Sequence, residues 1–393
     1  SVKLVDEKCD ILFVPGGVFT TKFRPVVTMS QNLIPFELKE LFRYGISLLT
    51  LKFILLRYFQ SFSFKRANGT IFLTENAKKS VLKVAKSLEG ENMVIPHGIE
   101  KKFFLAPRPQ YLINKFSFET PLQLLYVSSI EPYKHHDKVI DAVVKLYKKG
   151  FPLSLKLIGS GISSELKKIN KKINDVDPDR KIIKFIGFVP HYELPSHYHS
   201  SSIFLFASSC ENMPITLLEA MASGVPIVCS DFSPMQEMLE DAGEYFDPEN
   251  SDSIAQAIQK LIESPKLRAE KAKIAFELSQ KYSWSKCITE SISFLSKIFE
   301  DYKDITAKEL TSPPLAEVAI IGPYPPPFGG TSVHIRRLLP HLNLHGIHWK
   351  VYNLLHIYFN SLHIFIGRLS IRCIFIGEVG NSACVGMLYI LGA

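Results

Sequence analysis

The sequence predicts an α/β protein made of two Rossmann-like, doubly wound domains that face each other across a cleft. Three observations predict it. Short apolar runs of strand length alternate with helix-length amphipathic segments, the pattern of parallel sheets covered by helices on both faces. One complete strand–loop–helix–strand unit is legible between Ile203 and Cys229. The chain has 393 residues, enough for two domains with cores of their own.

Taken in order, Cys9 to Val14 reads as a strand ending at Pro15-Gly16-Gly17, and Pro25 to Thr28 as a second. Glu37 to Phe64 is one long apolar segment with Arg43, Lys52 and Arg57 spread along it. Gly69–Leu73 is a third strand, Asn76–Lys86 a helix, and Met93–Ile95 a fourth strand running into Pro96-His97-Gly98. Pro107, Pro109 and Pro121 break periodicity, so Glu100 to Pro121 reads as a linker. A second alternating run follows, with strands at Leu122–Ser128, Leu153–Ile158, Ile182–Ile186, Ile203–Ala207, Pro226–Cys229 and Glu244–Phe246. Helices fall near His136–Lys149, Ser163–Lys172, Tyr192–His199 and Ile215–Ala222, and Ser251–Phe299 is a helical tail in which Trp284 anchors packing. The expected domains are 1–100, 101–303 and a C-terminal stretch, 304–393.

Composition narrows the partners without choosing one. The chain is 46% hydrophobic and 21% charged, ordinary for a globular protein. Its net charge of +8 suits an anionic partner, whether nucleotide-sugar, anionic lipid or nucleic acid. The basic excess is spread out and no aromatic-basic platform is visible, which argues against nucleic acid. The six cysteines form no CxxC pair and no metal spacing, so Cys210 and Cys229 read as small buried thiols in a reducing cytoplasm. The opening residues do not read as a signal peptide, and the start at Ser1 suggests that a leading segment is absent. Ile46–Leu56, broken by Lys52, is too short to span a bilayer. The wider segment, residues 44–62, can lie on an anionic membrane surface or be buried against the first sheet, and these readings are compatible.

The chemistry concentrates in Cys210–Asp231, CENMPITLLEAMASGVPIVCSD. Pro214 stands where a first helical turn begins, Leu217, Leu218 and Met221 make an apolar stripe, and Gly224 ends the helix. Amides from about Met213 to Leu217 precede any intrahelical partner and can hold a diphosphate. Glu211 in the loop and Glu219 inside the helix are eight residues apart, and a carboxylate accepts hydrogen bonds from paired sugar hydroxyls. The spacing alone fits a solvated loop Glu and an ordinary helix Glu equally well.

Glu211, seven residues, Glu219, Ala220-Met221-Ala222, Gly224 and Pro226 together resemble the E-(x)7-E signature of retaining glycosyltransferases of family 4, which have the GT-B fold. The resemblance implies that Glu211 faces the transferred hexose and Glu219 the nucleotide ribose. Where the family usually has Gly-Phe-Gly, this chain has Asn212-Met213-Pro214, and proline removes one amide donor. The loop Tyr126 to Lys134 resembles the family's Gly-Arg…Lys loop, which implies that Lys134 binds the donor diphosphate and stabilises the leaving charge. Ser128-Ser129 replaces Gly-Arg, so no guanidinium fork is present there and Lys134 carries more of the neutralisation. By itself Lys134 reads as a solvated loop lysine. Gly159-Ser160-Gly161 resembles the strand-end glycines near the nucleotide, and Gly187-Phe188-Val189 the place where relatives hold the base through backbone atoms. Gln31 and Asn32 are the nearest polar groups where relatives carry a His after the second strand, and His97 is weighed as facing the cleft or as a satisfied strand-end group. Asp177-Pro178-Asp179 reads as a turn rather than a metal motif.

The C-terminal stretch is anomalous. Val318 to Gly330, with Gly329-Gly330 closing a Gly-rich turn before a helix, resembles the opening of a family-4 N-terminal domain, and the residues near Ser1 lack that opening. His341 to Leu355 resembles the following strand. Either 317–355 docks back as a circular permutation or the chain runs on into the start of a neighbouring transferase; the run-on is preferred. The residues after Phe359 carry no assignable role.

The resemblance implies a retaining, metal-independent transferase that moves a hexose from a UDP- or GDP-sugar to a glycan or lipid-linked acceptor in cell-surface polysaccharide or glycolipid synthesis. It would use no cofactor and sit in the cytoplasm or on the inner membrane face. Catalysis is assigned to Glu211 and Lys134. Substrate binding is assigned to Glu219, Ser129, Asn212, Met213, Ile215, Thr216, Gly159, Phe188, Val189, Gly329 and Gly330. The alternative is a catalytically impaired nucleotide- or glycan-binding module.

Overall fold

Two six-stranded sheets, both wholly parallel, carry the molecule. The structure is a computed structural model describing residues 9–306, 317–322, 330–344, 348–353, 362–366 and 369–373. The first sheet contains β1 (Ile11–Val14), β2 (Val26–Met29), β3 (Gly69–Phe72) and β4 (Glu91–Val94). The second contains β5 (Leu122–Val127), β6 (Leu153–Ile158), β7 (Ile183–Gly187), β8 (Ile203–Phe206), β9 (Ile227–Ser230) and β10 (Gly243–Phe246). Its order is β10-β9-β8-β5-β6-β7, so the chain reverses direction between β5 and β8. Ligands of such sheets bind at that switch, outside the strands' carboxyl ends.

The first sheet is finished by the far end of the chain. β11 (Glu317–Gly322) pairs with β1 in the register Ile11↔Val318, Leu12↔Ala319, Phe13↔Ile320, and β12 (His348–Asn353) lies outside β11. The reason is physical. β1 is apolar on both faces and fully buried, so it needs a hydrogen-bonded neighbour on each edge, and Val318, Ala319 and Ile320 are fully buried beside it. The Gly330–Leu344 helix buries Ile335, Leu338 and Leu342 against the same core. Of the two arrangements drawn from the sequence, the structure therefore has the docked one, against the preferred run-on. β13 (Leu362–Ile366) and β14 (Leu369–Cys373) form a separate antiparallel pair.

The long apolar segment Glu37–Phe64 carries two helices, Leu38–Phe42 and Leu48–Arg66. Gly45 turns the chain between them with φ +63, and Ser47 Oγ caps the second by accepting from Thr50 N at 3.2 Å. The expected helical tail divides into Ser251–Glu263, Pro265–Ser279 and Trp284–Thr306. Sequence periodicity missed a short helix, Met235–Leu239, which supplies one contact between the domains. Glu237 on it accepts from Glu75 N at 2.8 Å and Asn76 N at 3.0 Å, at the start of the Glu75–Ala85 helix. Thr74 Oγ1 donates to Asn212 O at 2.9 Å, and Ser209 Oγ to Glu40 Oε2 at 2.6 Å.

Candidate active site

The loop after β8 and the Ile215–Ala222 helix form one wall of the cleft. Pro214 caps the helix with extended backbone, and the first intrahelical bonds run from Leu217 N and Leu218 N to Pro214 O, at 3.2 and 3.3 Å. The amides of Ile215 and Thr216 therefore stand at the positive end of the helix, ahead of its ladder. Gly224 follows the last turn with φ +62, and a Cβ there would lie 2.6 Å from Leu105 O, because the interdomain linker passes over this helix end.

Lys134 closes a single 3₁₀ turn, Pro132–Lys134, after β5. Tyr126 Oη donates to Lys134 O at 2.7 Å and fixes the turn from within the sheet. The Lys134 ammonium lies 5.1 Å from the ring centres of both Tyr133 and Phe206, and is ion-paired with Glu211. Lys134 is buried and the Glu211 side chain only 13% exposed, so the pair is largely out of water, where opposite charges interact strongly. It is no solvated loop lysine. The next residue, His135, takes φ +45 and meets Ser209 Oγ at 2.9 Å. His136 stacks on Tyr126 and meets Ser128 Oγ at 3.0 Å; burial, then the Lys134 charge, push its pKa down to about 3.

Glu219 lies within the Ile215–Ala222 helix and is 3% exposed. His191 Nε2 lies 2.8 Å from its Oε1, and Tyr198 Oη donates to its Oε2 at 3.0 Å. Burial and the neighbouring Glu219 push the Tyr198 phenol far up, so it stays a donor. Lys102 Nζ lies 3.0 Å from His191 Nδ1, completing a chain from linker to helix. Sequence reasoning missed His191 and Tyr198. Tyr198 sits inside a recognised helix, but nothing local in the sequence marks either residue as a partner of Glu219.

Lys134 and Glu211 are thus brought into contact, while Glu219 sits in its own polar cluster. Asn212 is buried, its Nδ2 3.4 Å from Ser30 Oγ and its Oδ1 without a partner. Met213 is buried too, with its Sδ 3.1 Å from His97 N. Ser129 is exposed at the end of β5. Gly159 has φ +147, and a Cβ there would lie 1.8 Å from Ser128 O, so only glycine lets the β5 and β6 ends approach this closely. Gly159 N donates to Gly187 O at 2.8 Å, joining it to the turn that carries Val189 and the exposed Phe188. Gly330 is the first residue of its helix, and Gly329 lies outside the described residues.

Asn32, Asp177, Cys210 and Cys229 keep their structural readings, and His97 is not the cleft-facing group it was weighed as. His97 is 2% exposed and does not face an open cleft. Asn32 Oδ1 accepts from Ile34 N at 3.1 Å, a turn contact, and Gln31 Nε2 lies 2.9 Å from Met29 Sδ. Asp177 accepts from Lys181, Ile182 and Ile183 amides at 2.8–3.0 Å, the work of a turn. Cys210 and Cys229 are buried free thiols, their pKa values pushed up first by burial.

Part of the chain matches known proteins. Residues 109–277 match the model of the glycosyl transferases group 1 family. The O-antigen chain mannosyltransferase B of Escherichia coli is 26% identical over 182 residues, 46% of this chain and 48% of that protein. The alpha-monoglucosyldiacylglycerol synthase of Acholeplasma laidlawii is 27% identical over 184 residues, 45% of each. The chain thus spans about half the length of these curated relatives. Among solved structures, Anabaena HepE in complex with UDP superposes with a TM-score of 0.56 at 17% identity, covering 77% of this chain and 80% of that one. The stretch 109–277, which contains both carboxylates and Lys134, thus matches the group 1 glycosyltransferase family, and the chain has the GT-B fold.

Proposed function

We propose that the chain transfers a hexose, with retention, from a nucleoside diphosphate sugar to a glycan or lipid-linked acceptor. The desolvated Lys134–Glu211 pair, on the same cleft wall as the Ile215 and Thr216 amides, carries this reading. A diphosphate has two needs there, an ammonium and a set of N–H donors, and both are present. When the donor enters, its phosphate takes over Lys134, which frees Glu211 to accept from sugar hydroxyls. Negative charge then grows on the leaving phosphate in the transition state, where Lys134 and the helix start stabilise it. No side chain is placed as a nucleophile, so the acceptor attacks from the face the phosphate leaves, with a phosphate oxygen assisting removal of its proton. Glu219, aligned by His191 and Tyr198, accepts from the ribose hydroxyls. Ser129, Asn212, Met213 and Gly159 line the phosphate and sugar region, and the backbone at Phe188–Val189 holds the base. Gly330, at the start of its helix, is the first-domain residue assigned to the donor phosphate. No metal or cofactor is required.

A lipid-linked acceptor and a peripheral position on the inner face of the membrane belong to the same proposal. Along residues 44–62, Ile46, Leu48, Leu55 and Tyr58 are 110%, 83%, 49% and 69% exposed, with Lys52 and Arg57 between them. Among the described residues no helix is long and apolar enough to cross a membrane. At the base of this face Tyr44 Oη meets Glu131 Oε2 at 3.0 Å, next to the Lys134 turn. A relative named for making a glycosyldiacylglycerol supports this direction.

The test is an assay of the purified chain against UDP-, GDP- and ADP-sugars. Transfer, or donor hydrolysis to the matching nucleoside diphosphate, is expected with one of them. Absence of turnover together with absence of nucleotide binding overturns the proposal. Nucleotide binding without turnover, unaffected by Glu211→Ala, would instead mark a binding module.

A further inference from the structure

We infer that His97, Cys287 and His334 form a binding site for one borderline-soft transition-metal ion, best matched by Zn2+, that ties the C-terminal segment to both domains. The three come from distant parts of the chain. His97 follows β4, Cys287 lies in the first turn of the Trp284–Thr306 helix, and His334 in the first turns of the Gly330–Leu344 helix. One potential ligand atom from each falls within 4.8 Å of the other two. All three side chains are buried, with exposures of 2%, 2% and 1%.

The cluster also has an unmet need. His97 Nδ1 and both ring nitrogens of His334 are buried without a hydrogen-bond partner, as is Trp284 Nε1 beside them. Buried imidazole nitrogens are ordinarily paired or bound to metal, and a chance apolar packing of three such groups leaves that cost standing. Two imidazoles and one thiolate are a donor set that Zn2+ accepts, with bonds of about 2.0–2.3 Å that leave ligands roughly 3.5 Å apart. The ligand atoms, now within 4.8 Å of one another, would have to draw together by about 1 Å on binding. Metal binding would replace the thiol proton, which passes to solvent. Arg337, the nearby cation, is already paired with Glu100 and lies 4.1 Å over the Trp284 ring. The role is structural and separate from Lys134, Glu211 and Glu219.

The experiment uses the full chain without a tag, stripped with chelator and titrated with Zn2+ alone, then with Co2+. One Zn2+ per chain is expected, with a thiolate-to-cobalt charge-transfer band from bound Co2+. Cys287→Ser should abolish that band and weaken Zn2+ at least tenfold, whereas Cys9→Ser should change neither. Zn2+ should also slow proteolysis within residues 330–344. Failure of the wild-type chain to take up stoichiometric Zn2+, which needs no variant to fold, overturns the inference. A cobalt spectrum indifferent to Cys287→Ser overturns it as well.

Discussion

Glu237, on a five-residue helix of the second domain, accepts the backbone N–H of Asn76 of the first domain at 3.0 Å, and its other oxygen takes the N–H of Glu75. A carboxylate from one domain thereby caps a helix of the other, in addition to that helix's own cap by Thr74 Oγ1 at 3.1 Å. The cap compensates donors that no residue of the helix can satisfy. It joins the two domains next to Thr74, whose hydroxyl donates to Asn212 O at 2.9 Å.

Glu237→Ala should therefore cost about 0.5–1 kcal/mol of stability, the usual worth of an exposed helix cap. It should also loosen the two domains. Small-angle scattering would show a larger radius of gyration for the variant without nucleotide. Identical scattering curves for the two proteins would mean the cap does not govern closure.

Lys134→Ala should lower kcat by about 10²–10³, the usual loss on removing one preorganised charge stabiliser. Glu211→Gln should lower kcat less and leave UDP or GDP affinity nearly unchanged, since its proposed partner is the sugar. Tyr198→Phe should mainly raise the donor KM by weakening the alignment of Glu219. Steady-state kinetics for the three variants separates these roles, and equal kcat losses with unchanged KM would contradict the assignment.

Deleting residues 305–393 should leave the protein aggregated or markedly less stable. It strips β1 of its neighbour and exposes a core that Val318, Ile320, Ile335 and Leu338 now cover. Thermal unfolding of the truncated chain checks this. Unchanged stability would mean that the strand pairing contributes nothing.

His136 predicts a pH effect. Burial lowers its pKa to about 3 in the folded state, below the unfolded value near 6.5, so the folded form binds fewer protons. Its contribution is fully present above the unfolded value and is lost as pH falls from there towards about 3. Over that window it should contribute a slope of about 1.4 kcal/mol per pH unit. Urea unfolding at a series of pH values should show a shallower acid dependence for His136→Gln than for the original chain.

The sequence was informative where chemistry is local. A strand, a capping Pro214, an apolar stripe and Gly224 announce a helix start at the end of a parallel strand, and Glu211 and Glu219 are placed on it by spacing. Most second-domain strands were legible for the same reason, because buried parallel strands are continuous apolar runs. Contacts made by folding were not legible. His191 and Tyr198 meet Glu219 only after the chain crosses the sheet, and Glu237 reaches Asn76 across the cleft. His97 was ambiguous as a lone histidine because His334, its buried neighbour, arrives on a segment from the opposite end of the chain. The same non-local pairing decided the position of β11, for which sequence supplied the strand but not its address.

The placement of β11 beside β1 has a consequence for synthesis. During translation β1 emerges ahead of the second domain, yet its outer neighbour emerges only after that entire domain has been made. The second domain, whose strands are contiguous in the chain, can fold as soon as it is complete. The earlier half must meanwhile keep an open apolar edge from sticking to itself or to other nascent chains. A holdase chaperone should therefore engage this protein longest around β1, and release it only when β11 arrives.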